Sequence, residues 1–264
     1  MNFKPISNKF EYLNWQEIES IAKEKRSTLI WPFGAVEQHG PHLPLATDSI
    51  FVDDIVSEVF KLLPADIPLK KLPTQYIGFS PEHKGFAGTI SLSSNLITSM
   101  IKEVGGQLSE MGFKRLILIN GHGGQISLLN TAARELRSFS PGMAVFPCFL
   151  WSGVNGLSEL LTKTEIEDGL HASLAETSLM LALKPELVGD ERPNEGIKGQ
   201  IPEGWSLEGK APTAWLTDDF SKSGVIGDSR GANESLGKNL KELLINHWFK
   251  LIMNLMQSDW PNNS

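Results

Sequence analysis

The chain has 264 residues, 41% of them hydrophobic, and a formal net charge of −7 from 31 acids against 24 bases. That length and apolar content suit one large α/β domain, with a two-domain split as the weaker option; the acidic balance without a Lys/Arg run argues against nucleic acid as a partner, and no apolar run approaches the ~20 residues of a membrane span. One cysteine, Cys148, excludes an internal disulfide and fits a reducing cytoplasm, and the first residues, MNFKPISNKFEYLNW, lack the apolar core of a signal peptide.

Asn14 to Lys25 has the spacing of an amphipathic helix, with Asn14 as N-cap and Trp15, Ile18 and Ile21 on one face. Ser27 to Pro32 is an apolar run expected as the first core strand. The segment that follows, Trp31 to Asp48, is kept out of regular structure by Gly34, Gly40, Pro41 and Pro44. Ser49 to Leu63 carries apolar residues at helical spacing and ends at Pro64. A strand over Leu69 to Ile77, a glycine-rich loop over Gly78 to Gly88 and a short strand over Thr89 to Leu92 come next. Asn95 to Met111 is a helix closed by Gly112. Arg115 to Ile119, RLILI, is a compact buried strand, followed by the loop NGHGGQ, a helix over Ile126 to Phe139 and a strand over Ala144 to Leu150. A helix over Ser173 to Leu183 is bounded by Lys184-Pro185. Glu191 to Gly231 has little periodicity, yet its Trp205, Trp215 and Phe220 argue for an ordered excursion packed on the domain. A long helix over Glu234 to Met256 ends the pattern. Strands alternating with helices imply a mostly parallel central sheet in a three-layer α/β/α arrangement.

Ligand-type side chains gather in the loops behind the strands. Glu37, His39, His42 and Asp48 fall within twelve residues. In extended chain, residues two apart face the same way, so Glu37 and His39 converge, and Asp48 returns to them after the prolines turn the chain. Oxygen, nitrogen and oxygen suit zinc or manganese. Open parallel sheets bind ligands beyond the carboxyl ends of their strands, which brings His122 of NGHGGQ to the same rim, where Gly121, Gly123 and Gly124 permit a close backbone approach. A third cluster is His171 with Glu176. Plainer roles stand beside these. Asp48 could serve only as an N-cap. Ser173-x-x-Glu176 fits a capping box. His42 could orient a ligand, His83 could be solvated, His247 structural, and Trp151 plain core.

GAVEQHGPHLPLATD, SPEHKGFAGTISLS, LILINGHGGQ, HASLAETS and SGVIGDSRG together resemble the creatininase (creatinine amidohydrolase) family from roughly Trp31 to Gly231. The resemblance implies a single α/β/α domain spanning the chain and a homohexamer. It implies one or two divalent metals per subunit, zinc first, with manganese or iron as alternatives. The implied reaction is hydrolysis of an amide C–N bond in a small molecule: creatinine or a related cyclic amide, otherwise a formamide or short peptide. A non-catalytic metal-binding scaffold is the rival class. Residue by residue, Glu37, His39, Asp48 and His122 match metal ligands, with Asp48 as bridge; Glu176 matches an acidic position near the metals; His171 matches the catalytic His, expected as a protonated donor to the leaving nitrogen. Trp151 would form a flat wall for a planar substrate. Gly124 departs from the pattern, because creatininases proper carry a Glu ligand two residues after the NGH histidine; Glu176 is the carboxylate expected to compensate.

Overall fold

β1 (Thr28–Phe33) and β3 (Arg115–Asn120) are apolar between their ends, and every residue of both is buried. Such strands belong in the middle of a parallel sheet covered on both faces. In the computed structural model, which describes residues 7–195, 201–209 and 211–261, four parallel strands run in the order β2–β1–β3–β4, with β2 at Leu69–Lys71 and β4 at Ala144–Phe149. β1 and β3 pair from Thr28 beside Arg115 to Phe33 beside Asn120.

The helices are α1 (Trp15–Ala22), α2 (Thr47–Leu62), α3 (Ser94–Glu110), α4 (Ile126–Phe139), the short α5 (Leu157–Leu160) and α6 (Lys163–Asp168), α7 (Leu174–Leu183) and α8 (Glu234–Gln257). Alternation along the strands divides the core into two layers. Leu29, Trp31, Phe33, Leu116 and Leu118 meet Ala22 of α1, Ile97 and Ile101 of α3, and Leu129 and Leu136 of α4. Ile30, Ile117 and Ile119 face the other way, onto Phe51, Val52 and Ile55 of α2, Leu179 of α7, and Leu244 and Trp248 of α8. Each large side chain so buried contributes about 1.5–3 kcal/mol.

Several elements differ from the sequence expectation. The strand expected over Leu69 to Ile77 stops at Lys71; Pro73 has no N–H to offer a neighbour, and pairing resumes only as a bridge between Gln75 and Phe33. Thr89 to Leu92 is not a strand: Ile90 makes a single bridge to Val36. α1 starts at Asn14 as expected, with a full capping box to Glu17, but Trp15 is 73% exposed and only Ile18 and Ile21 pack inward. α5 and α6 are too short for periodicity to reveal. Within the excursion, β5 (Asn194–Glu195) pairs antiparallel with β6 (Gly227–Asp228). Trp215 stands edge-on to Phe220, but Trp205 is exposed rather than packed; residues 196–200 and 210 of that stretch lie outside the described residues.

Arg115, at the start of β3, is buried and donates to three carbonyls near the chain's end: Nε to Trp260, Nη1 to Leu255 and Nη2 to Ser258. Leu255 lies in the last turn of α8 and Ser258 is its C-cap, so a charged group ties the end of the helix to the sheet.

Candidate active site

Chain direction across the sheet reverses between β1 and β3, and a crevice opens at that point beyond the carboxyl ends. Two glycines press α2 into it. A Cβ on Gly34 would overlap the Ser49 backbone, and one on Gly121 would come within 2.5 Å of the Asp48 carbonyl oxygen. Their absence lets the first turn of α2 sit against both strand ends, and Asp48 is carried there as a residue of that turn; the N-cap is Ala46, so the N-cap role weighed for Asp48 does not apply. His122 is gripped from below. Asn120, the last residue of β3, accepts the His122 N–H at 2.9 Å and donates to its carbonyl at 2.6 Å, while Gln125 donates to Asn120 Oδ1 and to the Gly34 carbonyl.

Glu37, His39, Asp48, His122 and His171 are all buried. Glu37 Oε1 lies 3.1 Å from His122 Nδ1, 3.4 Å from His83 Nε2 and 3.9 Å from His171 Nδ1. Asp48 lies 3.4 Å from His39 Nε2 and from His122 Nδ1. Ligand-capable atoms of Glu37, His39 and Asp48 fall within 4.8 Å of one another, and so do those of His39, His171 and Glu176. Glu176 therefore belongs to the cluster. The capping box expected at Ser173 is not formed: Ser173 Oγ donates to Glu165 Oε2, Glu165 Oε1 accepts from the Ala175 N–H, and Glu176 Oε2 accepts from the Ala172 N–H at 2.7 Å. Ala172, at φ +52°, turns the chain from the His171–Ile226 bridge into α7.

His39, His171 and His83 are each held by one ring nitrogen with the other aimed inward. His39 donates Nδ1–H to the Glu37 carbonyl, leaving Nε2 for Asp48. His171 donates Nε2–H to the Gln38 carbonyl at 2.7 Å, which leaves Nδ1 bare in the neutral ring. His83, expected as a solvated loop residue, is instead buried at the centre, stacked on His171 with ring centroids 4.1 Å apart. Its tautomer is opposite. Gln38 Oε1 accepts the Gly40 N–H and Gln38 Nε2 donates to the Gly224 carbonyl, which orients the amide so that Nε2 also donates to His83 Nδ1 at 2.9 Å. The neutral ring then carries its hydrogen on Nε2, toward Glu37. His42 bonds none of the cluster; its Nε2 meets Thr177 Oγ1 at 2.8 Å and so ties the first loop to α7 beside Glu176. His247 lies on α8, edge-on to Trp248 and away from the cluster.

Charge in the cluster is strongly coupled. Burial pushes the Glu37 carboxyl up, and His122 beside it pulls the other way. Burial lowers His39, yet the adjacent Asp48 more than reverses this and holds it at about 9. His122 stands well above its ordinary value, because Glu37, Asp48 and Glu82 outweigh its burial. Burial, reinforced by His83 and His39, holds His171 well below its ordinary value, so this histidine rests neutral, not protonated as the sequence reading had it. Burial raises Glu176 to about 7.

A divalent metal fits these residues. Both oxygens of Glu37, Asp48 Oδ2 and His39 Nε2 are buried without a hydrogen-bond partner. Orphaned buried carboxylate oxygens cost several kcal/mol each unless a cation meets them. Beside the cluster opens a cavity of about 390 Å³, lined by His122, His171 and Glu176 and by the aromatic rings of Phe149, Trp151 and Trp215. Trp151 packs edge-on to Phe51, and its Nε1–H is buried without a partner. Sequence reasoning missed Gln38, Glu82, His83 and Glu165 as parts of this region; of these only Glu82 had a signal, the side chain missing at Gly124.

Residues 11–252 match the family described as Creatininase: Creatinine amidohydrolase. The mycofactocin precursor peptide peptidase of Mycobacterium tuberculosis is 31% identical over 219 residues, 81% of this chain and 79% of its own length. The creatinine amidohydrolase of Pseudomonas putida is 29% identical over 194 residues, covering 68% and 73%. A solved structure described as "Creatininase Mn" superposes with a TM-score of 0.76 at 24% identity, over 96% of this chain and all of that one, a likeness of fold.

Proposed function

This chain belongs to the creatininase family, hydrolases acting on carbon–nitrogen amide bonds, and from that premise we propose that it hydrolyses a small amide at a divalent metal centre held by Glu37, His39, Asp48 and His122. The observation that carries the reading is the buried, unpartnered pair of oxygens on Glu37 among three inward-facing imidazoles. Asp48 faces both His39 and His122 and would serve either of two ions held there, and Glu176 would add a carboxylate beside His39. Zinc and manganese both suit this oxygen and nitrogen donor set.

When bound, such an ion supplies Lewis acidity toward a carbonyl oxygen and toward water. The rest falls to the chain. Hydrolysis needs water to lose a proton and the leaving nitrogen to gain one. His171 rests neutral with Nδ1 bare and Nε2–H fixed on the Gln38 carbonyl. It takes the proton first and returns it second, a role worth ~10²–10⁴ in rate. His83 turns its Nε2 toward Glu37 at 3.4 Å, while its Nδ1 accepts from Gln38. Trp151 lines the cavity beside the bound amide.

Creatinine or another cyclic amide is the substrate the sequence resemblance names. A second substrate class, a short peptide or another amide with an apolar group, is favoured by the size of the cavity and its wall of Phe149, Trp151 and Trp215, and it agrees with the peptidase relative.

The test is elemental analysis of the purified protein beside a screen of creatinine, cyclic amides, formamides and short peptides for amine or acid release. Activity should vanish with a chelator and return with zinc or manganese. In His171→Ala, metal content should be unchanged while turnover falls ~10²-fold or more. A protein that binds no divalent metal, or one whose turnover ignores the chelator, would refute the reading.

A further inference from the structure

We propose that Glu82 is the positioning carboxylate that fixes His122 as a metal ligand, and that residue 124 is glycine because Glu82 occupies the space its side chain would need. The inference rests on the metal centre proposed above, and concerns a residue that centre did not include.

Three observations meet here. His122 turns Nδ1 toward Glu37 and Asp48, at 3.1 and 3.4 Å, so Nε2 points to the opposite side of the ring. Glu82 Oε1 lies 3.0 Å from that Nε2. A Cβ built on Gly124 would overlap Glu82 Oε1 and stand only 2.6 Å from His122 Nε2. Glu82 and a side chain at 124 are thus alternatives for one volume, and this chain has taken Glu82, delivered from the turn Pro81–His83 rather than from the NGHGG loop.

Two carboxylates, Glu176 and Glu82, flank the centre in different places. Glu176 shares a ligand-sized space with His39 and His171, whereas Glu82 Oε1 meets His122 Nε2. Glu82 meets His122 at the nitrogen remote from Asp48; its carboxylate also shares a ligand-sized space with Glu37 and His122, and metal content at saturation separates a positioning carboxylate from a ligand. A carboxylate behind an imidazole accepts the N–H of the remote nitrogen, which leaves the near nitrogen as the lone-pair donor and stops the ring from swinging. His122 Nε2 is buried and has no aligned hydrogen bond; at 3.0 Å, a small rotation of the ring aligns its N–H on Glu82. His39 and His171 are anchored by backbone carbonyls instead; His122 has only its own backbone gripped by Asn120, and its ring needs Glu82.

The experiment measures zinc affinity by chelator competition, metal content at saturation, and the visible spectrum of the cobalt(II) form, for wild type, Glu82→Ala, Glu82→Gln, Gly124→Ala, the Glu82→Ala/Gly124→Ala double variant and His122→Ala. Glu82→Ala should bind metal about 10- to 100-fold more weakly with unchanged content at saturation and a shifted cobalt spectrum. Glu82→Gln, whose amide oxygen still accepts the N–H, should recover most of the loss. Gly124→Ala should weaken binding at least as much as Glu82→Ala, by displacing the carboxylate and crowding His122 Nε2, and the double variant should be no worse than Gly124→Ala, because the carboxylate is already displaced. Unchanged affinity in Glu82→Ala overturns the proposal. Loss of a whole metal equivalent at saturation overturns it too, by making Glu82 a ligand. His122→Ala separates the two levels: if it binds metal as wild type does, the metal-centre reading fails and this proposal with it, whereas loss of binding in His122→Ala beside normal binding in Glu82→Ala rejects the proposal alone.

Discussion

Glu176 uses its oxygens differently: Oε2 accepts the Ala172 N–H, and the carboxylate as a whole shares a ligand-sized space with His39 and His171. With Glu165 already capping α7 through the Ala175 N–H, Glu176 is not needed as the helix cap. Glu176→Ala should therefore lose metal and turnover together, read by elemental analysis beside an activity assay; a loss of only about 1 kcal/mol in stability with metal content intact would return it to a backbone role. His42 supports a pH prediction. Burial, with Arg192 and His39 adding to it, lowers this histidine from 6.5 to about 4. As pH falls below 6.5 the unfolded chain takes up a proton that the folded chain refuses, so stability declines until about pH 4 and is fully present above 6.5. In metal-free protein, His42→Gln, which keeps an acceptor or donor near Thr177, should flatten the decline in urea midpoint between pH 7 and pH 5. An unchanged slope would remove His42 as a contributor. At this scale the sequence showed which residues could carry chemistry when they shared a loop: Glu37, His39 and Asp48 were visible as a set. His83 was not, because a lone histidine in SPEHKG gains its meaning only from Gln38 and His171, which reach it across the fold.

Among the elements, the junction of β1 with α2 sets the geometry of the centre. Gly34 is the contact: any Cβ there meets the Ser49 backbone, next to Asp48. Gly34→Ala must push α2 away from the strand end. Overpacking of this kind costs typically 1–3 kcal/mol, and here it should also weaken metal binding by moving Asp48. Thermal melting with and without zinc checks this, since an equal loss in both forms would mean the strain does not reach the site. β1, β3, α3, α4, α7 and α8 were legible from apolar runs and helical spacing, because burial on both faces or on one stripe leaves a dense pattern. β2 was overextended because Pro73 was not weighed as a donor missing from the sheet. α5, α6 and the β5–β6 pair are fixed by tertiary contacts such as Glu165 to Ser173, and no local period encodes them.

For the whole molecule, we propose that the chain is one domain and that it associates with copies of itself. Tyr12, Trp15, Phe139 and Trp260 are each more than half exposed, a cost that association would relieve. Light scattering at micromolar concentration should give a mass above that of the 29.1 kDa chain; a monomer there would contradict it. Among the described residues no helix is long and apolar enough to cross a membrane.

The clasp that Arg115 makes on Leu255, Ser258 and Trp260 has a practical side. β3 begins at Arg115 and ends at Asn120, beside His122 and the buried cluster, roughly 17–20 Å away for a strand of this length. Trp260 is thus fastened to the floor of the sheet while the cavity opens from its top. A bead, an electrode or a fluorophore joined beyond Trp260 would leave the mouth of the cavity turned toward the solution, whereas cutting the chain before Leu255 would release a buried guanidinium and loosen the sheet from below.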